Sequence, residues 1–131
     1  MTTPQTCYWD AELQQQLTRD CTPEEIAEID ARKAAAAASA AAETEARYSA
    51  AVQDRLDAFA RARGYDSILS ACTYATSTVP RFAADAARAV SLRDETWDSC
   101  YSILADVEAG QRAVPTLDEL IAELPELTWP A

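Results

Sequence analysis

The stretch from Thr22 to Gly64, TPEEIAEIDARKAAAAASAAAETEARYSAAVQDRLDAFARARG, decides the fold of this 131-residue chain. Thr22 can cap a helix, and Pro23 suits the first helical position because it lacks an N–H there. Glu25 completes a capping box with Thr22. No Gly or Pro occurs again before Gly64, a residue type that commonly ends helices in the left-handed conformation. The pattern predicts one helix over about residues 23–63, with Arg61 and Arg63 placed to interact favourably with its C-terminal dipole.

The two halves of this helix differ in character. Its second half carries large apolar side chains at spacings of four, four and three, namely Tyr48, Val52, Leu56 and Phe59. This spacing predicts packing against other helices. In the first half, the segment from Ala34 to Ala42 consists of alanine apart from Ser39, so it supplies only small side chains. Such a segment either approaches a second helix closely, which favours self-association, or stays solvated with the help of charge pairs such as Asp30 with Lys33.

The remainder of the chain predicts three further helices. A short one follows Gly64 with Asp66 as its cap, a long one runs from Pro80 to Ala109, and a last one follows the capping box Thr116–Glu119 and ends at Pro125. The expected fold is mainly α, with the long N-terminal helix projecting from a small C-terminal helical bundle. The candidate core consists of Tyr48, Val52, Leu56, Phe59, Phe82, Trp97, Cys100 and Leu104.

This reading divides the chain into three parts. Residues 1–21 form an N-terminal arm or a weak helix, in which Asp10 would be the cap and Leu13 and Leu17 would share a face. Residues 22–64 form the long Ala-rich helix, a stalk that could enter a coiled coil, and residues 65–131 form the bundle region on its end. Apolar and aromatic residues outside the expected core are candidate partner contacts, because aromatic residues are enriched at interfaces: Trp9, Leu13, Leu17, Ile26, Ile29 and Trp129.

Composition excludes several classes of function. The net charge of −11 disfavours binding to nucleic acid or to anionic membranes, and we expect neither partner. The chain has no His and no Gly-rich phosphate loop, so we expect no enzyme activity, no cofactor and no metal. The four Cys form no metal-binding pattern and predict free thiols, with Cys72 and Cys100 as small core residues. The N-terminus lacks the pattern of a signal peptide, so we expect no export by that route.

Several short segments, taken together in their order and spacing, resemble one group of proteins. They are RGYDSIL (63–69), CTYA (72–75), FAADA (82–86), RDETW (93–97), AGQRAVPT (109–116) and ELIAELP (119–125). Over about residues 55–130 the chain resembles small helical proteins encoded in the tail and tail-fibre gene clusters of tailed bacteriophages. No catalytic residue comes with the resemblance.

The resemblance implies a structural component of a virion, associated with the tail or tail fibre and assembled in the host cytoplasm. Its partners would be other tail proteins and further copies of itself, bound through helices. Two alternatives stay open. One is an assembly chaperone that is absent from the mature particle, and the other is an acidic intracellular inhibitor that imitates nucleic acid.

Overall fold

A computed structural model describes residues 4–10 and 15–131, and the protein is mainly helical, as expected. The described elements are two strands, β1 (Gln5–Asp10) and β2 (Gln15–Asp20), and four α-helices, α1 (Pro23–Ala62), α2 (Ile68–Cys72), α3 (Pro80–Glu108) and α4 (Leu117–Glu123). A 3₁₀ turn (Thr73–Thr76) follows α2. The chain divides into two compact units, Met1–Ala46 and Arg47–Ala131, and the boundary lies within α1.

Both ends of α1 form as the sequence predicts. At the start, the Glu25 amide donates to Thr22 Oγ1 at 3.3 Å and the Thr22 amide donates to Glu25 Oε2 at 2.9 Å, which is the reciprocal capping box. At the end, Gly64 has a φ of +102°, a conformation that costs a residue with a Cβ and suits glycine. The prediction of one helix over about residues 23–63 is therefore confirmed.

The first unit contains a β-hairpin that the sequence reading did not expect. β1 pairs antiparallel with β2, with Gln5 opposite Asp20 and Cys7 opposite Thr18. The weak helix expected to hold Leu17 is wrong, since residues 15–20 form a strand; Leu13 lies outside the described residues. A single i,i+4 Leu pair contributes only about 0.2–0.5 kcal/mol to a helix, whereas Thr, Tyr and Trp favour strands.

The second unit contains the core. The part of α1 after residue 46 packs with α2 and α3 around one cluster of buried side chains: Leu56, Ala60, Ile68, Ala71, Cys72 and Ala89. A second cluster joins Val52 to Leu120 and Leu124 at α4. α2 is capped by Ser67, whose Oγ accepts from the Ser70 amide at 3.1 Å, and not by Asp66 as expected.

On α3 the fully buried residues differ from those expected in the core. The fully buried residues are Asp85, Ala86, Ala89, Leu92 and Thr96, whereas Phe82, Trp97, Cys100 and Leu104 are half-buried. The core cluster contains Ala60, Ala71 and Ala89, and such small side chains allow close approach of the elements that carry them. Close approach buries a narrow strip of α3 completely and leaves the large side chains on its flanks.

Candidate interaction surfaces

The most open surface of the described chain lies on α1 in the first unit. Every side chain from residue 30 to residue 43 is exposed, and Ile26, Ile29 and Thr44 are half-buried. Thr44 uses its hydroxyl within the helix, donating to the Ala40 carbonyl at 3.0 Å. This surface is therefore exposed along its whole length, and most of its side chains are alanines.

Charged side chains at this surface do not pair as expected. Arg32 approaches Glu28 at 3.9 Å, and both side chains are more than 70% exposed, so this pair contributes little to stability. Within the described residues, Lys33 forms no ion pair with Asp30, which corrects the sequence expectation. Lys33 is the only lysine of the chain, and its ammonium is left to the solvent or to a partner.

An ion pair joins the hairpin to the start of α1 within the same unit. Arg19 places its guanidinium on Glu25 with two hydrogen bonds, of 2.9 and 2.6 Å. The Arg19 hydrogen bonds, followed by the backbone of Thr22, lower the pKa of Glu25 to about 2. The carboxylate therefore stays ionised at neutral pH and keeps both the cap and the hairpin contact.

A buried carboxylate lies in the second unit, where the sequence reading placed none. Asp85 is 2% exposed and receives two hydrogen bonds from Arg63, at 3.0 and 3.1 Å, and one from the Tyr65 hydroxyl at 3.0 Å. Arg63 lowers the pKa of Asp85, while burial raises the pKa of Tyr65. Both carboxylate oxygens of Asp85 accept hydrogen bonds, so Asp85 stabilises the fold and is not available as a free base.

Arg63 thus binds a side chain of α3, and its interaction with the dipole of α1 stays a prediction. The sequence did contain a signal that Asp85 would pair with a cation. Asp85 lies between Phe82 and Ala89 on the apolar side of α3, and a carboxylate in that setting requires a cation. The residue spacing alone does not say which arginine supplies it.

The C-terminal segment folds back onto the second unit. Trp129 stacks on Phe59 with ring centroids 4.3 Å apart and planes at 7°, and the Arg63 guanidinium lies over the indole. Side chains also hold the backbone of this segment, because Arg55 donates to the Pro125 carbonyl and Arg88 donates to the Thr128 carbonyl. Trp129 was a candidate partner contact; it is half-buried and stacks within its own unit, and its contact with a partner stays a prediction.

A shallow acidic depression lies on α3, lined by Asp94, Glu95, Trp97, Asp98 and Tyr101. Asp94 binds Arg93 at 3.0 Å, and Glu95 accepts from the Ser91 hydroxyl at 2.8 Å. Arg93, which is half-buried on α3, therefore has a carboxylate partner on the same helix. Among residues 4–10 and 15–131, no cluster of Cys, Asp and Glu is arranged to bind a metal ion.

The remaining candidate contacts belong to the first unit. Trp9 lies in β1 opposite Gln16, and Leu17 lies in β2 opposite Tyr8. Ile26 and Ile29 lie on α1 and are half-buried.

In the second unit, the exposed apolar residues Leu69, Tyr101 and Val114 are at least 60% exposed and lie far apart in sequence. The structure therefore places most of the candidate contacts on the hairpin and the first turns of α1.

The chain matches no known protein family, no curated protein and no solved structure in comparisons with each. Among the helices of the described chain, none combines the length and apolarity needed to cross a membrane.

Proposed function

We propose that this protein is a non-enzymatic structural component of a bacteriophage virion, associated with the tail or tail fibre, and that it acts through helix-mediated contacts with other tail proteins and with its own copies. The phage context comes from the sequence resemblance over about residues 55–130. The contact role comes from the surfaces of the first unit. The two grounds are independent of each other.

One observation carries the contact role, namely how few of the described side chains of the first unit are buried. Among residues 4–7 and 19–46, whose side-chain burial is described, Cys21 is the only buried side chain. An isolated two-stranded hairpin is at best marginally stable in water, and a long Ala-rich helix gains little from burial on its own. The second unit by contrast buries two clusters of side chains. The exposed side chains of residues 30–43 are therefore available to other chains.

The chemistry of the side chains agrees with a contact role. Asp85, the only buried carboxylate among the residues whose burial is described, is occupied by Arg63 and Tyr65. Burial raises the pKa of both Cys72 and Cys100, which keeps these thiols protonated and unreactive at neutral pH. The sequence contains no histidine to activate a hydroxyl or a thiol.

Mass spectrometry of purified particles from a phage that encodes the chain tests the proposal. A structural component is expected in fixed stoichiometry with other tail proteins. Absence from mature particles, combined with tail-less particles when the gene is deleted, would instead establish an assembly chaperone. Normal particles after deletion would contradict both roles and leave the acidic inhibitor as the remaining alternative.

A further inference from the structure

Five side chains of the open part of α1 fall on one side of the helix. Ile29, Lys33, Ala36, Ala40 and Glu43 follow one another at spacings of four, three, four and three. This is the heptad spacing with which two helices pack along a shared seam. Ile29 is half-buried, and the other four are exposed. We call these five residues the α1 seam.

The charges of the α1 seam distinguish the two directions in which a second copy could lie. Lys33 and Glu43 are each five residues from residue 38, and Ala36 and Ala40 are each two residues from it. In an antiparallel pair centred on residue 38, Lys33 of each copy therefore faces Glu43 of the other, and Ala36 faces Ala40. In a parallel pair in register, Lys33 faces Lys33 and Glu43 faces Glu43, which places like charges together.

We infer that the α1 seam binds a second copy of this chain in antiparallel orientation, with two Lys33–Glu43 ion pairs around a centre of facing alanines. The inference deepens the proposed contact role of α1 and rests on it. The contact is symmetric, because the same surface is used by both copies and a two-fold axis passes near residue 38. It also gives the ammonium of Lys33, unpaired within the described residues, a carboxylate partner.

The alanines set the character of this contact. Side chains as small as alanine let two helices approach to about 8 Å, the short end of the range for packed helices. They also bury little apolar area, so the contact is weak for a single pair of chains and depends on concentration. In an assembled particle neighbouring copies are held at a high effective concentration, which favours such a contact.

The single lysine allows a direct test of orientation by carbodiimide coupling, which joins an amine to a carboxylate without a spacer. A mixture of unlabelled and ¹⁵N-labelled full-length chains is coupled, and the cross-linked peptides are identified by mass spectrometry. We expect an amide between Lys33 of one label and Glu43 of the other. Within one helix these residues lie ten positions, or about 15 Å, apart, so their coupling reports a contact between copies.

Charge reversal provides a second test in solution. Lys33→Glu or Glu43→Lys alone places like charges at both ends of the antiparallel pair, and we expect each to weaken dimerisation in sedimentation equilibrium by more than about tenfold. An equimolar mixture of the two variants restores opposite charges and should restore association. Glu45→Lys makes the same charge change away from the α1 seam and serves as the matched control. Circular dichroism checks that each variant keeps its helix content.

The outcomes separate this inference from the proposed function. A wild-type chain that stays monomeric at every concentration, couples Lys33 only within its own chain, or dimerises equally well as Lys33→Glu overturns antiparallel pairing. Such a chain can still be found in stoichiometric amounts in purified particles, which would leave the structural role intact. Conversely, a dimer with the expected coupling that is absent from particles would support the pairing and contradict the structural role.

Discussion

Replacement of Trp129 by alanine tests whether the C-terminal segment is part of the folded unit. The change removes the indole stacked on Phe59 at 4.3 Å and its tilted contact with Tyr65 at 5.9 Å. Truncation of a fully buried Trp to Ala costs about 3–5 kcal/mol, and Trp129 is half-buried, so we expect a loss of about 2 kcal/mol in the free energy of unfolding.

Urea denaturation followed by circular dichroism measures this loss. With a denaturant slope of about 2 kcal/mol per molar, a loss of 2 kcal/mol lowers the midpoint by about 1 M. A matched variant, Trp129→Phe, keeps an aromatic ring on Phe59. It also removes Nε1, which is buried without a hydrogen-bond partner, so we expect its stability to stay within about 1 kcal/mol of the wild type.

The two variants together test whether the C-terminal segment is packed and whether ring stacking on Phe59 stabilises it. A Trp129→Ala protein within about 0.5 kcal/mol of the wild type would refute the packed position of the C-terminal segment, since changes of that size are typical of unpacked surface sites. Equal losses in Trp129→Ala and Trp129→Phe would refute the role assigned to ring stacking.

Three further predictions concern the second unit and the thiols. Leu56→Ala should cost about 2–5 kcal/mol of unfolding free energy because Leu56 is fully buried, while Leu69→Ala should change it by less than about 0.5 kcal/mol because Leu69 is 65% exposed; thermal unfolding of both variants compares them. The pKa of Asp85 is lowered by its arginine partner, so its stabilisation is present above the unfolded pKa of about 3.9 and is lost as pH falls through the folded pKa. Urea midpoints from pH 7 down to about pH 2 should therefore fall more steeply for the wild type than for Asp85→Asn, and equal slopes would contradict the buried pair. Iodoacetamide should label Cys7, which is exposed, well before Cys72, which is buried and whose pKa is raised by that burial; mass spectrometry of a labelling time course reads the order.

Local signals in the sequence were sufficient to predict the helices. The capping box at Thr22 and the glycine at residue 64 define α1 because each acts within one turn of the helix end. The same holds for α4, where Thr116 and Glu119 form the predicted reciprocal cap. The helices were therefore predictable from residue types at fixed short spacings.

The hairpin and the fully buried residues of α3 were not predictable in this way. Residues 5–20 have weak helical and weak strand signals, and pairing across the hairpin, for example Cys7 with Thr18, decides between them. On α3 the hydrophobic spacing identified one apolar side of the helix. Which residues of that side become fully buried depends on how closely the neighbouring elements approach, and Thr96 and Leu92 are buried for that reason.

The sequence alone determined that the chain is mainly helical, where its long helices begin and end, and that an Ala-rich segment of α1 carries only small side chains. These features follow from interactions between residues a few positions apart. Tertiary structure alone decided that Arg63 pairs with Asp85, that Trp129 stacks on Phe59, and that the side chains of residues 30–43 have no cover within the described chain. Those outcomes depend on contacts between residues far apart in sequence, whose approach is set by the packing of whole elements.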